Sequence, residues 1–399
     1  MKKVYITTII TTLSMILIFC LGYYIIGNDK FADRHINVGF VYDGDESTPY
    51  TESFIRAQRK IEKEFGEQVT CFVKSNVTDE DGEEAIRQLI DEKCDIIFTC
   101  SYGYSFAAKD FAAEHPDIQF CAATGDNAGD DPILANYHNF MGRIYEGRYI
   151  SGVIAGMKMQ QLIDDGEITG DQKKIGYVAA FPYAEVISGY TAFFLGVRSV
   201  VPDVVMSVKY ANTWSDYGTE KKLAEELIDE GCVIISQHSD TIGPAVACEN
   251  VSGQKPVIHI GYNQSMIDVA PTTSLLSTRI DWAPYMTQAV GAVLEKKKIE
   301  DVVVGQKYKN DVGAGFEEGW VQVVDLNQHL APPDAAKVMK GLINDFKSGR
   351  IDVFKGDYTG TDPYDPENKI DLRDGYVENS TSSAPRFSYV LDDVITIEE

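Results

Sequence analysis

Aromatic and small polar residues occur in this sequence at the points where short apolar runs end. Runs of this kind are typical of buried parallel strands, whose carboxyl ends share one sheet edge and carry the ligand sites of open α/β folds. Aromatic rings there can stack on a flat molecule while amides and carboxylates hydrogen-bond its edge. The spacing therefore predicts a cleft that binds a small planar ligand. The candidate residues are Asp43, Tyr50, Thr51, Ser101, Tyr102, Phe181, Trp214, His238, Asp240 and Asn263.

Motifs of the common catalytic and metal centres do not accompany these residues. The sequence has no GxSxG, no P-loop and no HExxH. It has no CxxC pair, and its 6 histidines are scattered without HxxxH spacing. Carboxylates are abundant, but spacing sets no pair apart as an acid–base couple. We therefore expect binding without a covalent step, with no catalytic residue, no cofactor and no metal ion.

The elements that position the candidates alternate between strand and helix. In the first half the alternation predicts a parallel sheet with right-handed crossovers. Strands are predicted at 36–42, 69–73, 95–99 and 118–122, and helices at 54–65, 79–94 and 106–115. A long helix at 146–162 follows, and its glycines and serines are spaced for close packing against a neighbour.

The second half repeats this plan. Residues 175–178 repeat the short apolar strand at 38–41, and both copies lead through a loop into a helix. Two copies about one domain length apart predict an α/β protein with two Rossmann-like lobes around one cleft, joined by crossover hinge segments. Strands are predicted at 174–179, 204–210, 232–236 and 256–261, and helices at 185–200, 219–230 and 243–250.

These elements divide the chain into four parts. We expect an N-terminal segment at 1–30 and a C-terminal tail at 351–399 that packs on the lobes. The first lobe takes 36–160 with about 282–312, and the second takes 170–281 with about 313–350. Residues 274–280 are predicted to lead back to the first lobe, and the tail is predicted to be rich in turns.

Composition limits the class of partner. The 399 residues are 44% hydrophobic and 24% charged, which is typical of a folded globular chain. The net charge of −25 argues against a nucleic-acid partner, because phosphate binding needs clustered Lys and Arg. The remaining partners are small molecules and other proteins.

The N-terminal segment differs from the rest of the chain. Residues 4–26 carry no charge, and at about 1.5 Å per residue they are long enough to cross a bilayer as a helix. Lys2 and Lys3 predict a cytoplasmic N-terminus and a body outside the cell membrane. Both an uncleaved anchor and lipidation at Cys20 remain open, although the residues before Cys20 are larger than a lipoprotein signal favours. Most of the other 6 of the 7 cysteines lie in or beside apolar strand-like runs, and these thiols are predicted to be buried in the core.

The body, over residues 36–357, resembles the basic-membrane-protein family, the PnrA-like nucleoside-binding proteins. The resemblance is carried most specifically by 145–156 (YEGRYISGVIAG) and 212–216 (NTWSD). Further matches lie at 100–103 (CSYG), 111–125, 175–181 and 281–285 (DWAPY). The resemblance implies the type I periplasmic-binding-protein fold and an extracytoplasmic receptor of an ABC importer. It also implies an ABC permease and ATPase as partners and a purine nucleoside or base as ligand.

The same resemblance assigns roles to individual residues. It implies that Tyr50 and Trp214 sandwich the purine, with Thr51 as a polar neighbour. Asn263 stands where the family has an aspartate that grips ribose. A family lysine that also meets ribose has no counterpart here, and Arg279 and Asp281 are the nearest charged residues. With these two departures, a free base or another flat polar heterocycle fits as well as a nucleoside.

Two other functions compete with import. A sensor or regulatory protein could use the same fold for a different small polar ligand, but only residues 1–3 precede the apolar segment, which leaves no cytoplasmic output domain. An α/β enzyme, such as a nucleosidase-like hydrolase, would need a carboxylate or metal constellation that the sequence does not show. Import is therefore the expected function.

Overall fold

The computed structural model describes residues 34–398, which form two large sheets, one small sheet and ten α-helices within that range. The strands are β1 (Ile36–Val41), β2 (Val69–Lys74), β3 (Ile96–Thr99), β4 (Gln119–Ala123), β5 (Tyr137–Gly142), β6 (Lys174–Ala179), β7 (Val205–Tyr210), β8 (Ile234–His238), β9 (Ile258–Tyr262), β10 (Ser274–Ile280), β11 (Gln306–Tyr308), β12 (Asp311–Ala314), β13 (Val321–Val324), β14 (Thr359–Asp362), β15 (Asp365–Asp371), β16 (Val390–Leu391) and β17 (Ile395–Glu398). The helices are α1 (Pro49–Phe65), α2 (Gly82–Asp91), α3 (Ser105–Glu114), α4 (Ile144–Asp164), α5 (Ala184–Arg198), α6 (Tyr217–Asp229), α7 (Gly243–Asn250), α8 (Ala283–Leu294), α9 (Ile299–Val302) and α10 (Ala335–Lys347).

The two large sheets have the same internal order. The first runs β11-β12-β5-β4-β3-β1-β2, and the second runs β13-β10-β9-β8-β6-β7-β17. Only β11 and β13, at one end of each sheet, pair antiparallel to their neighbours. In both sheets the first strand of the lobe, β1 or β6, lies between the next two strands along the chain. Ligands of open parallel sheets bind where the strand order reverses, so the carboxyl ends of β1 and β6 are equivalent candidate positions for a ligand site.

Each sheet has its own core. In the first, Phe40 stacks on Phe98 with ring centroids 5.7 Å apart, and α1 brings Phe54 onto Trp282 at 4.5 Å. In the second, Tyr177 lies 5.9 Å from Phe193 of α5. Burial on both faces explains why these strands are near-continuous apolar runs. The separate cores define lobe 1 around the first sheet and lobe 2 around the second.

Helices α4 and α5 pack closely, as the small residues of α4 predicted. A Cβ atom added to Gly152 would lie 2.1 Å from the carbonyl oxygen of Phe193. A Cβ atom added to Gly196 would lie 2.2 Å from the carbonyl oxygen of Tyr149. Only glycine permits such an approach of two helix backbones, so any larger residue at either position would force the helices apart.

Within residues 34–398 the chain passes between the sheets at three places, between β5 and α4, between β10 and α8, and between β12 and β13. These segments bond to one another. The Arg143 amide donates to the Ala314 carbonyl at 2.8 Å, and the Asp281 amide donates to the Trp320 carbonyl at 2.7 Å. The amide of Phe316 donates to Oε2 of Glu146 at 2.9 Å. We call this group of crossovers the hinge.

Three sequence predictions need correction. Residues 274–280 are not themselves the crossing to lobe 1: they form β10, which pairs with β9 and β13, and the chain crosses just after this strand. Strand β5 was not predicted, since His138 and Asn139 interrupt its apolar pattern. The tail is not only turns, because β17 pairs in parallel with β7 and extends the second sheet.

The predicted membrane segment at residues 4–26 lies outside the described residues. Among residues 34–398, no helix combines the length and the apolar character that a membrane span needs. The six cysteines in this range are free thiols, and five of them are buried as predicted, while Cys71 is half-buried.

Candidate ligand-binding cleft

Tyr50 is the second residue of α1 and lies just beyond the carboxyl end of β1. Pro49 begins this helix, where a missing N–H costs no hydrogen bond. The Tyr50 ring meets Phe54 edge-on at 5.2 Å and Trp282 at 6.4 Å. Its hydroxyl donates to the carbonyl oxygen of Cys100 at 2.5 Å. The Tyr50 ring is therefore held at its edge and at its hydroxyl, just beyond the end of β1.

Asp43 links the loop after β1 to the end of β3. The hydroxyl of Thr51 donates to Oδ1 of Asp43 at 2.7 Å, and the Cys100 thiol donates to the same oxygen at 3.4 Å. The amide of Asp43 donates in turn to the Cys100 sulfur at 3.3 Å. Thr51 is buried and committed to Asp43, so its hydroxyl fixes the carboxylate in place.

Lobe 2 contributes a cluster of three aromatic rings at the ends of β6 and β7. Phe181 stacks on Tyr183 at 5.1 Å and meets Trp214 edge-on at 5.5 Å. Tyr183 is 51% exposed, and Phe181 and Trp214 are half-buried, so ring surface remains accessible to a ligand. The carbonyl oxygen of Trp214 accepts the amide of Asp240 at 2.8 Å, which ties this cluster to the end of β8.

Asp240 and Asn263 follow β8 and β9, and both are buried. The Asn263 side-chain amide donates to Oδ1 of Asp240 at 3.0 Å. Asn263 has φ +65°, a left-handed conformation that asparagine tolerates better than most residues. Burial raises the pKa of Asp240 well above its usual range, and the nearby Asp43 adds to the shift. Asp43 belongs to lobe 1 and Asp240 to lobe 2, so the influence of Asp43 on the Asp240 pKa shows that acidic side chains of the two lobes lie near each other.

Tyr50 also faces lobe 2. Burial raises the pKa of its hydroxyl well above the usual value, with smaller contributions from Cys100 and Asp43 of its own lobe. Glu185 and Asp240 of lobe 2 contribute in the same direction. The ends of β1 and β3 therefore lie opposite the ends of β6 and β8, with an aromatic ring and acidic groups between them.

His238 is fully buried at the end of β8. Its ring lies 4.6 Å from that of Tyr262, and its Nε2 atom is 3.6 Å from Oε1 of Glu185. Burial lowers the pKa of His238, although Glu185 opposes this shift. A Cβ atom on Gly189 would lie 2.6 Å from Nδ1 of His238, so α5 packs directly against the ring.

Sequence reasoning missed two residues of this region, Glu185 and Arg148. Glu185 is the second residue of α5, as Tyr50 is of α1, so the repeat itself contained the signal. The guanidinium of Arg148 lies 4.0 Å from the centre of the Tyr262 ring, and Arg148 is fully buried. Nothing in the helical pattern of α4 indicated that Arg148 points inward.

Two predicted residues, Ser101 and Tyr102, lie at the edge of this group. Ser101 donates to Oδ1 of Asp79 at 2.9 Å and caps the turn that precedes α3. Tyr102 is 47% exposed, and its ring meets Phe106 at 6.1 Å on the surface of lobe 1. The pKa of Tyr102 is raised by burial and by Asp126, with a small contribution from Tyr183 across the cleft, which places Tyr102 at the rim.

Asp281 lies in the hinge. Its Oδ1 atom accepts the amide of Ala283 at the start of α8 at 3.1 Å, and its Oδ2 atom accepts the side-chain amide of Gln322 at 2.8 Å. Arg279 donates twice to Gln322, at 3.0 and 2.8 Å. Both charged residues that stand nearest to the missing lysine are therefore bonded to Gln322, Arg279 from within the lobe 2 sheet and Asp281 from the hinge.

No group of three or more His, Cys, Asp or Glu side chains in residues 34–398 is arranged to hold a metal ion. The cleft instead combines stacking surfaces with hydrogen-bond acceptors. Such a lining can bind and orient a flat polar molecule.

Two parallel α/β lobes joined by three crossovers, with aromatic and polar residues on facing strand ends, define a two-lobed solute-binding protein. The family of PnrA-like ABC transporter substrate-binding proteins matches residues 35–340, and this chain belongs to that family. Proteins of this family are the solute-binding components of ABC importers. They present a small molecule to a permease and its ATPase from outside the cytoplasm.

Individual relatives agree with this assignment. A purine-binding protein of Brucella abortus is 30% identical over 335 residues, which cover 84% of this chain and 87% of that protein. Basic membrane protein A of Borreliella burgdorferi is 25% identical over 64% of this chain and 71% of its own length. A putative glucose-binding protein of Haloferax volcanii is 32% identical over 58% of this chain and 54% of its own length.

Solved structures confirm the fold. The solute-binding protein of an Aeropyrum pernix ABC transporter superposes with a TM-score of 0.62 at 16% identity and covers 79% of this chain and 92% of its own. That of Conexibacter woesei gives 0.58 at 16% identity, with 79% and 97% covered. The predicted type I periplasmic-binding-protein fold and the predicted family are both confirmed.

Proposed function

We propose that this protein captures a purine, as free base or nucleoside, in the cleft between its lobes and delivers it to an ABC importer. The observation that carries the proposal is that Tyr50 of lobe 1 is close enough to Glu185 and Asp240 of lobe 2 for their charges to act on its hydroxyl, while the Asp240 amide bonds to the carbonyl oxygen of Trp214 in the aromatic cluster. A purine offers a flat surface to the rings and N–H groups to the carboxylates. The purine-binding relative from Brucella abortus supports the same ligand class.

A free base fits these groups better than a nucleoside. The side chains nearest to the family's two ribose contacts are engaged elsewhere, since Asn263 bonds to Asp240 and Arg279 bonds to Gln322. Leaving those partners for a sugar would break existing hydrogen bonds, and a buried polar group without a partner costs about 1–3 kcal/mol.

In this proposal the lobes rotate about the hinge to enclose the purine. Stacking on Tyr50, Phe181 and Trp214 supplies much of the affinity, while Asp43 and Asp240 select for hydrogen-bond donors on the ligand edge. The N-terminal segment keeps the protein at the cell membrane, either as an uncleaved anchor or through a lipid on Cys20. The ligand-loaded protein then stays at the membrane that contains the permease.

Titration calorimetry of the full chain in detergent tests the ligand. The panel is adenine, hypoxanthine, adenosine, guanosine and inosine, with D-glucose as the comparison suggested by the Haloferax volcanii relative. We expect saturable heat with at least one purine and none with glucose. Binding of glucose without any purine would overturn the purine assignment and leave the solute-binding role intact.

A further inference from the structure

Residues 376–387 of the tail run from lobe 2 to lobe 1 and back. At the start of this segment Tyr376 pairs with Phe354 of the lobe 2 core, and Oε2 of Glu378 accepts the Ser188 hydroxyl of α5 at 2.8 Å. At its end Phe387 stacks on Phe354 at 4.5 Å. Both ends of the segment are therefore anchored in lobe 2.

The middle of the segment contacts lobe 1. The amide of Ser383 donates to Oδ2 of Asp311 on β12 at 2.7 Å, and the hydroxyl of Tyr308 on β11 donates to the carbonyl oxygen of Asn379. Ala384 is buried as part of the lobe 1 core. A Cβ atom on Gly313 would lie 3.2 Å from Cβ of Ser383, so the loop lies flat against β12.

Internal hydrogen bonds give the loop one shape. The Asn379 side-chain amide donates to the carbonyl oxygens of Ser382 and Ser383 at 3.0 and 2.6 Å. Oε1 of Glu378 accepts the amides of Arg386 at 2.7 Å and Asn379 at 3.2 Å. Ser382 and Ser383 are buried. A loop fixed in this way can transmit force between the lobes, which a loose tail cannot.

The tail also follows the rim of the cleft. The hydroxyl of Tyr364 donates to the carbonyl oxygen of Pro182 at 3.4 Å, next to the aromatic cluster. The positive charge of Arg386 is close enough to Tyr102 to oppose the rise of its pKa. The family match ends at residue 340, so this segment lies beyond the matched region.

We propose that residues 376–387 form a latch, anchored in lobe 2 and docked on β11 and β12 of lobe 1, that restrains opening of the cleft. The three crossovers of the hinge are covalent and allow rotation, as in other hinge-closing binding proteins. The latch is a noncovalent connection beside them. Rotation of the lobes must shear the contacts of Asp311 and Tyr308, so these two residues set how readily the cleft opens.

Hydrogen–deuterium exchange of the full chain in detergent, without any purine, measures this opening. The readout is deuterium uptake in the cleft-lining segments 43–51 and 212–216. The double variant Tyr308→Phe/Asp311→Ala removes both lobe 1 contacts, and we expect faster uptake in these segments than in the native chain. Asp311→Asn keeps an oxygen acceptor for the Ser383 amide and is the matched control, with expected uptake equal to native.

A reversible crosslink tests the latch in the opposite direction. In Gly313→Cys/Ser383→Cys the two Cβ atoms are near the roughly 3.5–4.5 Å separation of a disulfide. We expect the oxidised form to exchange more slowly than native in both segments and the reduced form to return to the native rate. If Tyr308→Phe/Asp311→Ala does not unfold cooperatively, it is not a folded protein, and the proposal is then judged from the oxidised and reduced crosslink forms alone. Equal uptake in the oxidised and reduced forms overturns the proposal, whatever the ligand is.

Discussion

The side-chain amide of Asn263 donates a hydrogen bond of 3.0 Å to Oδ1 of Asp240, and both residues are buried at the ends of neighbouring strands of lobe 2. An aspartate at position 263 would place a second carboxylate against Asp240. Asparagine instead donates a hydrogen bond to Asp240. This bond opposes the rise in the Asp240 pKa that burial and Asp43 cause. Because both side chains are buried, this hydrogen bond bears on the protonation of Asp240.

Asn263→Asp introduces the aspartate that the family resemblance implies at this position. We expect the variant to gain affinity for adenosine relative to adenine if the new carboxylate is free to meet ribose hydroxyls. It should also lose stability at pH 8, because two buried carboxylates would lie in contact. Calorimetry with the two ligands and urea unfolding at pH 5 and pH 8 measure the two effects. An unchanged ratio of the two affinities would contradict a ligand contact at this position.

Trp214→Ala should reduce purine affinity about tenfold to a hundredfold, because stacking of a base on an aromatic ring contributes about 1–3 kcal/mol. Trp214→Phe keeps a smaller ring and is the control, with an intermediate loss expected. The thermal midpoint should change little, since Trp214 is only half-buried. Native affinity in the alanine variant would remove Trp214 from the site.

Tyr50→Phe separates the ring from the hydroxyl. Loss of the bond to the Cys100 carbonyl should lower the free energy of unfolding by about 1 kcal/mol and leave purine affinity near native. Tyr50→Ala should lose affinity as well, because the stacking surface goes with the hydroxyl. Denaturant titration and calorimetry on the same preparations distinguish the two roles. Equal affinity in both variants would argue against stacking on this ring.

Asp240→Asn should flatten the pH dependence of stability. Because the folded-state pKa of Asp240 is raised, the folded protein holds its proton more tightly than the unfolded chain. The stabilisation from Asp240 is therefore full below the unfolded pKa and is lost as pH rises through the folded pKa. Unfolding curves from pH 4 to pH 8 should fall less steeply in the variant. A parallel fall in both proteins would show that Asp240 is ionised in the folded state.

Glu146→Gln tests whether the buried hinge residue Glu146 also contributes to the pH dependence of stability. Burial raises the pKa of Glu146 from 4.5 to about 7, while the Phe316 amide opposes the shift. The native chain should thus lose stability between pH 5 and pH 8, and the glutamine variant should lose about 2 kcal/mol less. Urea midpoints at the two pH values measure the difference. Because glutamine still offers an oxygen to Phe316, a large loss of stability at pH 5 would be unexpected.

Local pattern predicted most elements of the fold. Helix α4 was expected at 146–162 and spans Ile144–Asp164, and α5 was expected at 185–200 and spans Ala184–Arg198. Strand β5 was missed because its polar residues are satisfied only by distant partners. His138 bonds to Gln119 and Glu300, and Asn139 accepts the amide of Ala128. Such partners, up to 162 positions away along the chain, leave no trace in a local window.

The residues of the candidate site also fall into those that local pattern predicted and those that it could not identify. Strand ends predicted Asp43, Tyr50, Trp214 and Asp240 for the cleft, and the structure places them after β1, β7 and β8, because parallel strands bring their carboxyl ends to one edge. Position along the chain could not distinguish a cleft residue from a turn cap, so Ser101 was included. Nor could it find Arg148, whose helix is buried on most sides.

By itself the sequence determined the α/β class and the doubled lobe, because strand periodicity and turn residues are local properties that the chain carries wherever it folds. The family followed from a resemblance carried by motifs such as those at 145–156 and 212–216. The tertiary structure decided which predicted residues share the cleft, which serve the hinge, and how the tail returns to hold both lobes. Those outcomes depend on hydrogen bonds and burial between residues far apart in the chain. Their energies exist only once the two sheets have packed.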